Sequence, residues 1–358
     1  MNTAARRLHF VDALKAIASQ FIVLHHLAFY GPLSLAAYAL APGEITWFAR
    51  YARIAVQIFL VIGGFLAARS LAPQGRLAAP RPAALLGKRY LRLALPYVVM
   101  LVFSVVCAAL ARQWMDDDSI PAAPTVWQFT SHILLLHGIL EVDSLSAGVW
   151  YVAIDFQLFA LTLGLLWLTE RARHPWIQRM GPAVIGAIGL ASLFFFNRDA
   201  AWDDWAVYFF GAYAMGAMAY WGTRPGGRHW LVIMGVAVVA ALYVDYRARI
   251  AVALVTALLL ALSCRGGWID RWPRGAALAF LGRISYSVFL VHFPICLLAN
   301  AIFDRFLPDA PVVAVVGLLV AWAASIAGGT VFHRHVESRA GEWMSRLING
   351  ARRVSSAA

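Results

Sequence analysis

Charged residues are scarce in this sequence. Asp, Glu, Lys and Arg together make up 13% of its 358 residues, whereas 62% are hydrophobic and the mean hydropathy is +0.70. A soluble domain carries about 25% charged residues, so the composition does not fit one. We therefore predict an all-α integral membrane protein, because a helix satisfies its own backbone hydrogen bonds inside a bilayer.

Cysteines and metal-ligand patterns are also scarce. The three cysteines, Cys107, Cys264 and Cys296, lie in or at the ends of apolar runs. Their number is odd and no metal-ligand spacing links them, so we interpret them as buried small hydrophobic residues. His333 and His335 form an HxH pair that no carboxylate or cysteine joins at ligand spacing, so no metal site is predicted. The sequence shows no internal repeat, low-complexity tract or evident soluble domain.

The basic residues follow the pattern of a membrane protein. The net charge of +12 is not gathered in one patch, so a nucleic-acid partner is not predicted. About ten transmembrane helices are expected, over residues 10–30, 47–70, 90–112, 147–169, 181–197, 204–222, 229–246, 249–265, 277–301 and 311–333. Of the 30 lysines and arginines, 19 lie outside the spans on the side of the membrane that carries the N-terminus. Another 6 lie outside the spans on the opposite side. This asymmetry predicts that both termini are cytoplasmic.

Three segments need separate interpretation. Arg6 and Arg7 precede the first apolar run, as in a signal peptide, but its internal charges and the lack of a convincing cleavage site favour a retained span. Residues 126–140 are apolar but too short for a normal span, so we predict an external interfacial or re-entrant helix. We assign residues 1–336 to one transmembrane domain and residues 337–358 to a basic cytoplasmic tail.

The first span, VDALKAIASQFIVLHH, carries ionisable residues that need a reason. Lys15 and His26 are eleven residues apart, which places them on one helical face, and Asp12 lies within roughly 40° of His26 on the same stripe. A neutral imidazole can accept a proton from a hydroxyl group, so His26 is the leading candidate for a general base. In the alternative reading, Asp12 and Lys15 only snorkel to water at the cytoplasmic end. His25 points about 100° away and is assigned a structural role.

Basic pairs elsewhere suit an anionic ligand. Arg89 and Arg92 lie at i and i+3 where the third span leaves the cytoplasm, and two guanidinium groups can bind phosphate oxygens in a bidentate manner. The alternative is ordinary flanking charge. Arg283, in GRISYSVFLVHFPI, is a possible partner for an acid or a phosphate. His292 in the same run is interpreted as a satisfied core histidine.

One further span holds polar residues. Asp155 and Gln157 interrupt an apolar run that has Trp150 and Tyr151 at its outer end. The two aromatic residues fit an interface belt. A buried carboxylate needs a partner, so Asp155 indicates a functional position.

Together these motifs resemble acyltransferase family 3, which includes bacterial cell-surface polysaccharide O-acetylases. The family has an arginine, ten residues and a histidine in its first span, where this chain has Lys15 and His26. Its arginine-x-x-arginine pair matches Arg89 and Arg92, and LGRISYSVFLVHFPI is similar to its ninth span almost throughout. The resemblance extends from about Leu8 to Glu337, which resembles the family's closing glutamate.

The remaining matches include departures. FLVIGGF resembles the second span of the family, with Gly63 where serine is common. The tryptophan-tyrosine…glutamate-phenylalanine run of the family corresponds to Trp150, Tyr151, Asp155 and Phe156, so the carboxylate here is one methylene shorter. Lys15 keeps the positive charge of the family's arginine but lacks its planar fork.

The resemblance implies a multi-pass enzyme of the bacterial inner membrane with no permanently bound cofactor. It would transfer an acyl group, most simply acetyl, from cytoplasmic acyl-CoA to a hydroxyl group of a glycan or glycolipid. His26 would be the base or a transient acyl carrier, supported by Asp12. Lys15, Arg89, Arg92 and Arg283 would bind acyl-CoA, and Trp150, Tyr151 and Asp155 would line the acceptor side. The alternative function is a transporter or flippase of a lipid-linked or anionic solute, which lacks support from an internal repeat.

Overall fold

The computed structural model describes residues 7–78 and 81–341, and no β-strand occurs within them. The α-helices are α1 His9–Phe29, α2 Pro32–Ala37, α3 Pro42–Tyr51, α4 Val56–Leu71, α5 Pro82–Trp114, α6 Val126–Ile133, α7 Val149–Glu170, α8 Pro175–Gln178, α9 Gly181–Phe194, α10 Ala206–Gly222, α11 Arg228–Val244, α12 Ala248–Arg265, α13 Ala276–Phe306 and α14 Pro311–Phe332. A 3-10 turn, Ala52–Ala55, joins α3 to α4, and a π-helical turn, His333–Glu337, follows α14.

The predicted all-α membrane protein is confirmed. Within the described ranges, eight helical segments are long and apolar enough to cross a membrane. The other two predicted spans correspond to α10 and α11, which have 17 residues each. The predicted third span is too short, because α5 begins at Pro82 and continues through Pro96 for 33 residues. Most of the predicted basic tail, residues 342–358, lies outside the described residues.

The chain divides into two compact units. Unit one contains residues 1–18, 54–86 and 154–283, and unit two contains residues 19–53, 87–153 and 284–358. The helices α1, α5, α7 and α13 each contribute residues to both units. The two ends of α1, which carry the predicted charges and the predicted base, therefore belong to different units.

Close helix packing defines unit one. A Cβ atom on Gly64 of α4 would collide with the backbone carbonyl of Tyr213 on α10, and one on Gly216 would collide with the carbonyl of Val61. Small residues allow such close approach of two helices, and this packing drives helix association where no water is expelled. The indole of Trp221 then donates a 2.7 Å hydrogen bond to the carbonyl of Ala72.

Unit one also fixes the first turns of α1. The ring of Phe10 packs against Trp268 and Trp272 at centroid distances of 4.9 and 6.1 Å, and its backbone N–H donates to the carbonyl of Ile269 at 3.0 Å. A Cβ atom on Gly282 would collide with the backbone of Asp12. The N-terminal turns of α1 and α13 therefore lie in direct contact.

Polar contacts connect α13 to its neighbours in unit two. The hydroxyl of Tyr286 donates to the carbonyl of Leu93 on α5 at 3.1 Å. Asn300 accepts a 2.9 Å hydrogen bond from the backbone N–H of Leu33 and donates to the carbonyl of Cys296 at 2.9 Å. These contacts connect the middle of α13 to α5 and its C-terminal part to the chain that follows α1.

Residues 126–146 connect α5 to α7 and include the predicted interfacial or re-entrant helix; we call them the re-entrant segment. The hydroxyl of Tyr90 donates to the carbonyl of Ile133 at 2.9 Å, and that of Ser104 donates to the carbonyl of Leu145 at 3.1 Å. Tyr90 and Ser104 are fourteen residues apart, so the contacts extend over about 21 Å of α5. Because α5 is a candidate membrane span, this geometry favours the re-entrant alternative over the interfacial one.

Helix α6 forms the first part of the re-entrant segment. Thr125 and Gln128 form a capping box that begins the helix, and such reciprocal bonds satisfy two free N-terminal amides. The chain then leaves helical geometry, with positive φ at Leu135 and Glu141. Irregular backbone at membrane depth is tolerated where protein covers it or where it lines a polar cavity.

Candidate active site

His26 lies near the C-terminal end of α1, in the interior of unit two. Its side chain is 8% exposed, and its Nδ1 atom is 2.5 Å from Nε2 of His292 on α13. The two rings are almost parallel, with an interplanar angle of 6° and a centroid distance of 4.8 Å. His292 is itself 1% exposed. The structure therefore brings together two histidines that are 266 positions apart.

The surroundings of His292 determine which nitrogen atoms carry hydrogen. Its Nδ1 atom faces the backbone carbonyls of Phe289 at 2.7 Å and Val288 at 3.2 Å. A carbonyl only accepts, so Nδ1 of His292 carries a hydrogen and donates it; this tautomer is assigned from the hydrogen-bond network. A buried charged ring is costly, so His292 is neutral and its Nε2 accepts.

This assignment extends to His26. Because Nε2 of His292 accepts, Nδ1 of His26 must donate across the 2.5 Å contact. A neutral His26 then carries its lone pair on Nε2. The pair therefore presents one unprotonated nitrogen whose direction is set by the packing of α1 against α13.

Glycine and aromatic residues form the walls around His26. Gly148, immediately before α7, has φ +85°, and a Cβ atom built on it lies 3.8 Å from Cε1 of His26 and 3.4 Å from Cζ of Phe289. Tyr30 and Phe293 pack around the imidazole at centroid distances of 5.5 and 5.9 Å. These walls leave the Cε1 edge of His26 next to a residue without a side chain.

Trp150 and Tyr151, predicted on the acceptor side, occupy the first turn of α7 directly after Gly148. The ring of Tyr151 contacts that of Phe289 at a centroid distance of 5.3 Å, and Phe289 in turn packs against His292 at 5.9 Å. The structure thus places Tyr151 next to Phe289 beside the histidine pair, and Trp150 packs edge-to-face against Tyr151 at 6.2 Å.

His25 contacts different elements from His26. Its Nδ1 atom is 3.2 Å from the backbone carbonyl of Phe48 on α3, and its side chain is buried. This contact fits the predicted structural role.

Arg89 and Arg92 lie near the N-terminal end of α5, also in unit two. Arg89 is half-buried and Arg92 is exposed. Tyr90, between them, binds the re-entrant segment. Arg92 is therefore accessible to an anionic ligand, and the pair flanks the contact of Tyr90 with that segment.

The other predicted donor-side residues lie in unit one. The carboxylate of Asp12 accepts a 2.5 Å bond from Nε of Arg7, whose Nη2 donates to the carbonyl of Ala279 at 2.7 Å. Lys15 is half-buried one turn further along α1, and Arg283 is exposed directly after Gly282. Asp12, Lys15 and Arg283 thus belong to the N-terminal turns of α1 and α13.

Asp155 is buried on α7 in unit one, 7% exposed. Its Oδ1 atom lies 3.4 Å from a Cβ atom built on Gly63, and Cε2 of Tyr213 lies 3.0 Å from the same point. Where the family pattern has serine, the ring of Tyr213 therefore occupies part of the available space.

The sequence predicted His292 to be a satisfied core histidine, and the structure shows it buried with both ring nitrogens paired, but its contact with His26 was not predicted. The rule that ionisable groups inside a span mark functional positions applies to His292 as it does to His26, but spacing along one helix cannot reveal a partner on another. The same holds for Glu337, whose carboxylate accepts a 2.5 Å bond from Ser287 and lies 3.0 Å from Nδ1 of His333.

The comparisons with known proteins identify one family. The model of the acyltransferase domain of acyltransferase family 3 matches residues 8–327 of the chain. Neither a curated protein nor a solved structure matches it. The match includes α1, the arginine pair and most of α13 and α14.

Proposed function

The chain belongs to acyltransferase family 3, and we propose that it transfers an acetyl group from acetyl-CoA to a hydroxyl group of a cell-surface glycan or lipid-linked saccharide. The observation that carries this proposal is the buried contact between His26 and His292. It supplies a neutral imidazole with an oriented lone pair, which general-base catalysis requires. Acetyl-CoA is a co-substrate, and no permanently bound cofactor takes part.

The reaction needs one proton acceptor. Nε2 of His26 removes the proton of the acceptor hydroxyl group as its oxygen attacks the thioester carbonyl. The new carbon–oxygen bond forms, the carbon–sulfur bond breaks, and the same proton passes from His26 to the leaving CoA sulfur. A transient acyl-histidine is the alternative route, in which Nε2 attacks the thioester first. In both routes the positive charge on His26 is shared with His292 through their hydrogen bond.

Arg89 and Arg92 bind the phosphates of CoA. Guanidinium groups one turn apart suit the planar, bidentate recognition of phosphate oxygens, and both lie at one end of α5. The positive charges of Lys15 and Arg283 make them further candidates for binding acyl-CoA. Asp12 is about 20 Å along α1 from His26, so we assign it a supporting role through its ion pair with Arg7.

The same proposal assigns residues to the acceptor side and an orientation of the protein in the membrane. Tyr151 lies next to Phe289 beside the histidine pair and offers an aromatic face for a sugar ring. The family pattern assigns Trp150 and Asp155 to the acceptor side as well. The distribution of basic residues favours cytoplasmic termini, so the enzyme would take acetyl-CoA from the cytoplasm at the bacterial inner membrane.

Purified protein in liposomes tests the proposal. The liposomes receive radiolabelled acetyl-CoA and a glycan extract of the cell envelope, and both CoA release and label transfer to the glycan are measured. We expect acceptor-dependent release by the wild-type protein. A His26→Asn variant should lose about 10²–10⁴-fold of this rate, because its amide can still donate to His292 but has no basic nitrogen.

His25→Asn is the matched control, since its amide can replace the bond from Nδ1 to Phe48; this variant should keep most of the activity. Wild-type activity in His26→Asn would overturn the assignment of the base. Label uptake into the liposomes without CoA release would instead support a transporter.

A further inference from the structure

Several buried polar groups lie between α5 and the re-entrant segment. The hydroxyl groups of Tyr97 and Ser146 and both ring nitrogens of His137 have no hydrogen-bond partner within the described part of the chain. Tyr97 is 0% exposed, Ser146 is 2% exposed and His137 is 1% exposed. Buried polar groups are almost always paired, and each exception needs an explanation.

Helix geometry places Tyr97 against the re-entrant segment. Tyr90, Tyr97 and Ser104 are spaced by seven residues, and each successive residue is turned by only about 20°. The first and last of them donate hydrogen bonds to the re-entrant segment. Tyr97 lies between these two contacts on the same face of α5.

The re-entrant segment contains two histidines, His132 and His137. The rings of His132 and His137 stack at a centroid distance of 4.1 Å with an interplanar angle of 6°. His132 is fully paired, because its Nδ1 donates to the carbonyl of Gln128 at 2.8 Å and its Nε2 accepts from the N–H of Leu145 at 3.2 Å. The second bond brings His137 close to Leu145 and hence to Ser146.

The unpaired groups lie, along the chain, between the two ends of the proposed reaction. Tyr97 is five residues, or about 7.5 Å, beyond Arg92 on α5. Ser146 is two residues before Gly148, which borders the imidazole of His26. All of these groups belong to unit two. A ligand bound along them would have polar groups distributed over its length.

We propose that α5 and the re-entrant segment enclose the pantetheine arm of acyl-CoA, whose amide and hydroxyl groups pair with Tyr97, His137 and Ser146. This inference rests on the proposed function. The arm is a narrow chain with two amides and one hydroxyl group, linking the phosphates to the sulfur, so it matches a row of isolated polar groups between Arg92 and His26. The re-entrant segment then has a use: its irregular backbone lines a polar passage inside the membrane.

Equilibrium binding of two ligands to the purified protein in detergent tests the inference without requiring catalysis. The ligands are CoA and 3′-phospho-ADP, which keeps the phosphates and lacks the pantetheine arm. Tyr97→Phe, His137→Phe and Ser146→Ala each remove unpaired polar atoms and keep the packing shape. Each should weaken CoA binding by about 2- to 10-fold and leave 3′-phospho-ADP binding unchanged.

Ser131→Ala is the matched control in the same segment, because its buried hydroxyl already donates to the carbonyl of Gln128; CoA binding should be unchanged. A variant that fails to fold would lose both ligands and would be recognised by that result. Wild-type CoA affinity in all three variants would overturn the inference, with water left as the partner of these groups. Failure of the wild-type protein to bind either ligand would instead overturn the proposed donor.

Discussion

Nδ1 of His26 and Nε2 of His292 lie 2.5 Å apart, although each histidine sits on a different helix. The backbone carbonyl of Phe289 fixes the hydrogen of His292 at 2.7 Å, and His292 thereby fixes that of His26. A catalytic imidazole is oriented in the same way in serine hydrolases, where an aspartate holds the tautomer. Here a neutral histidine has this position, which suits an apolar membrane interior.

Replacing His292 should lower the rate of transfer without weakening donor binding. His292→Phe keeps a ring but removes the acceptor, so the wrong tautomer of His26 becomes accessible and kcat should fall by about 10²-fold or more. The KM for acetyl-CoA should stay near the wild-type value. His292→Gln, whose side-chain carbonyl can accept from His26, should recover part of the rate.

Nitrogen NMR of histidine-labelled protein tests the orientation directly. The wild-type spectrum should show His26 with hydrogen on Nδ1 and a bare Nε2, and the His292→Phe spectrum should show a mixture of the two tautomers. An unchanged tautomer together with an unchanged kcat would refute the positioning role of His292.

Gly148→Ala should impair catalysis more than its backbone strain alone explains. The residue has φ +85°, which costs a residue with a side chain about 1–3 kcal/mol, and its new methyl group would lie 3.8 Å from Cε1 of His26. Gly226→Ala is the control, since φ is +76° there and no heavy atom lies within 4 Å of the new Cβ. Equal thermal destabilisation with activity lost only in Gly148→Ala is the expected result.

Arg89→Lys should raise the KM for acetyl-CoA by about tenfold, because lysine keeps the charge and loses the bidentate fork. Steady-state kinetics at varied acetyl-CoA concentration measures this change. Lys88→Gln provides the opposite control, since it removes an exposed neighbouring charge and leaves both guanidinium groups in place. A larger effect in Lys88→Gln would show that net charge, rather than fork geometry, holds the donor.

Gly64→Ala should destabilise unit one. The new methyl group would collide with the carbonyl of Tyr213, so α4 and α10 must separate at a cost of about 1–3 kcal/mol. Gly235→Ala on α11 adds the same group in open space and should leave the unfolding temperature unchanged or higher. Thermal unfolding in detergent compares the two; equal stability would contradict the close packing of α4 and α10.

Properties that depend on local sequence were predictable. Hydrophobic runs near 20 residues identify membrane helices wherever they occur, and the helical period alone places Lys15 and His26 on one face of α1. The continuous helix His9–Phe29 confirms that premise. Arg89 and Arg92 could likewise be found from their spacing alone.

Contacts between distant parts of the chain were decided only by the tertiary structure. The partner of His26 is on α13, and the packing of two helices, which no local period encodes, brings the rings together. The packing of residues 126–146 along α5 also required the contacts of Tyr90 and Ser104, because an apolar segment of that length fits a membrane surface equally well. The sequence thus determined which residues can do chemistry, and packing decided which of their atoms meet.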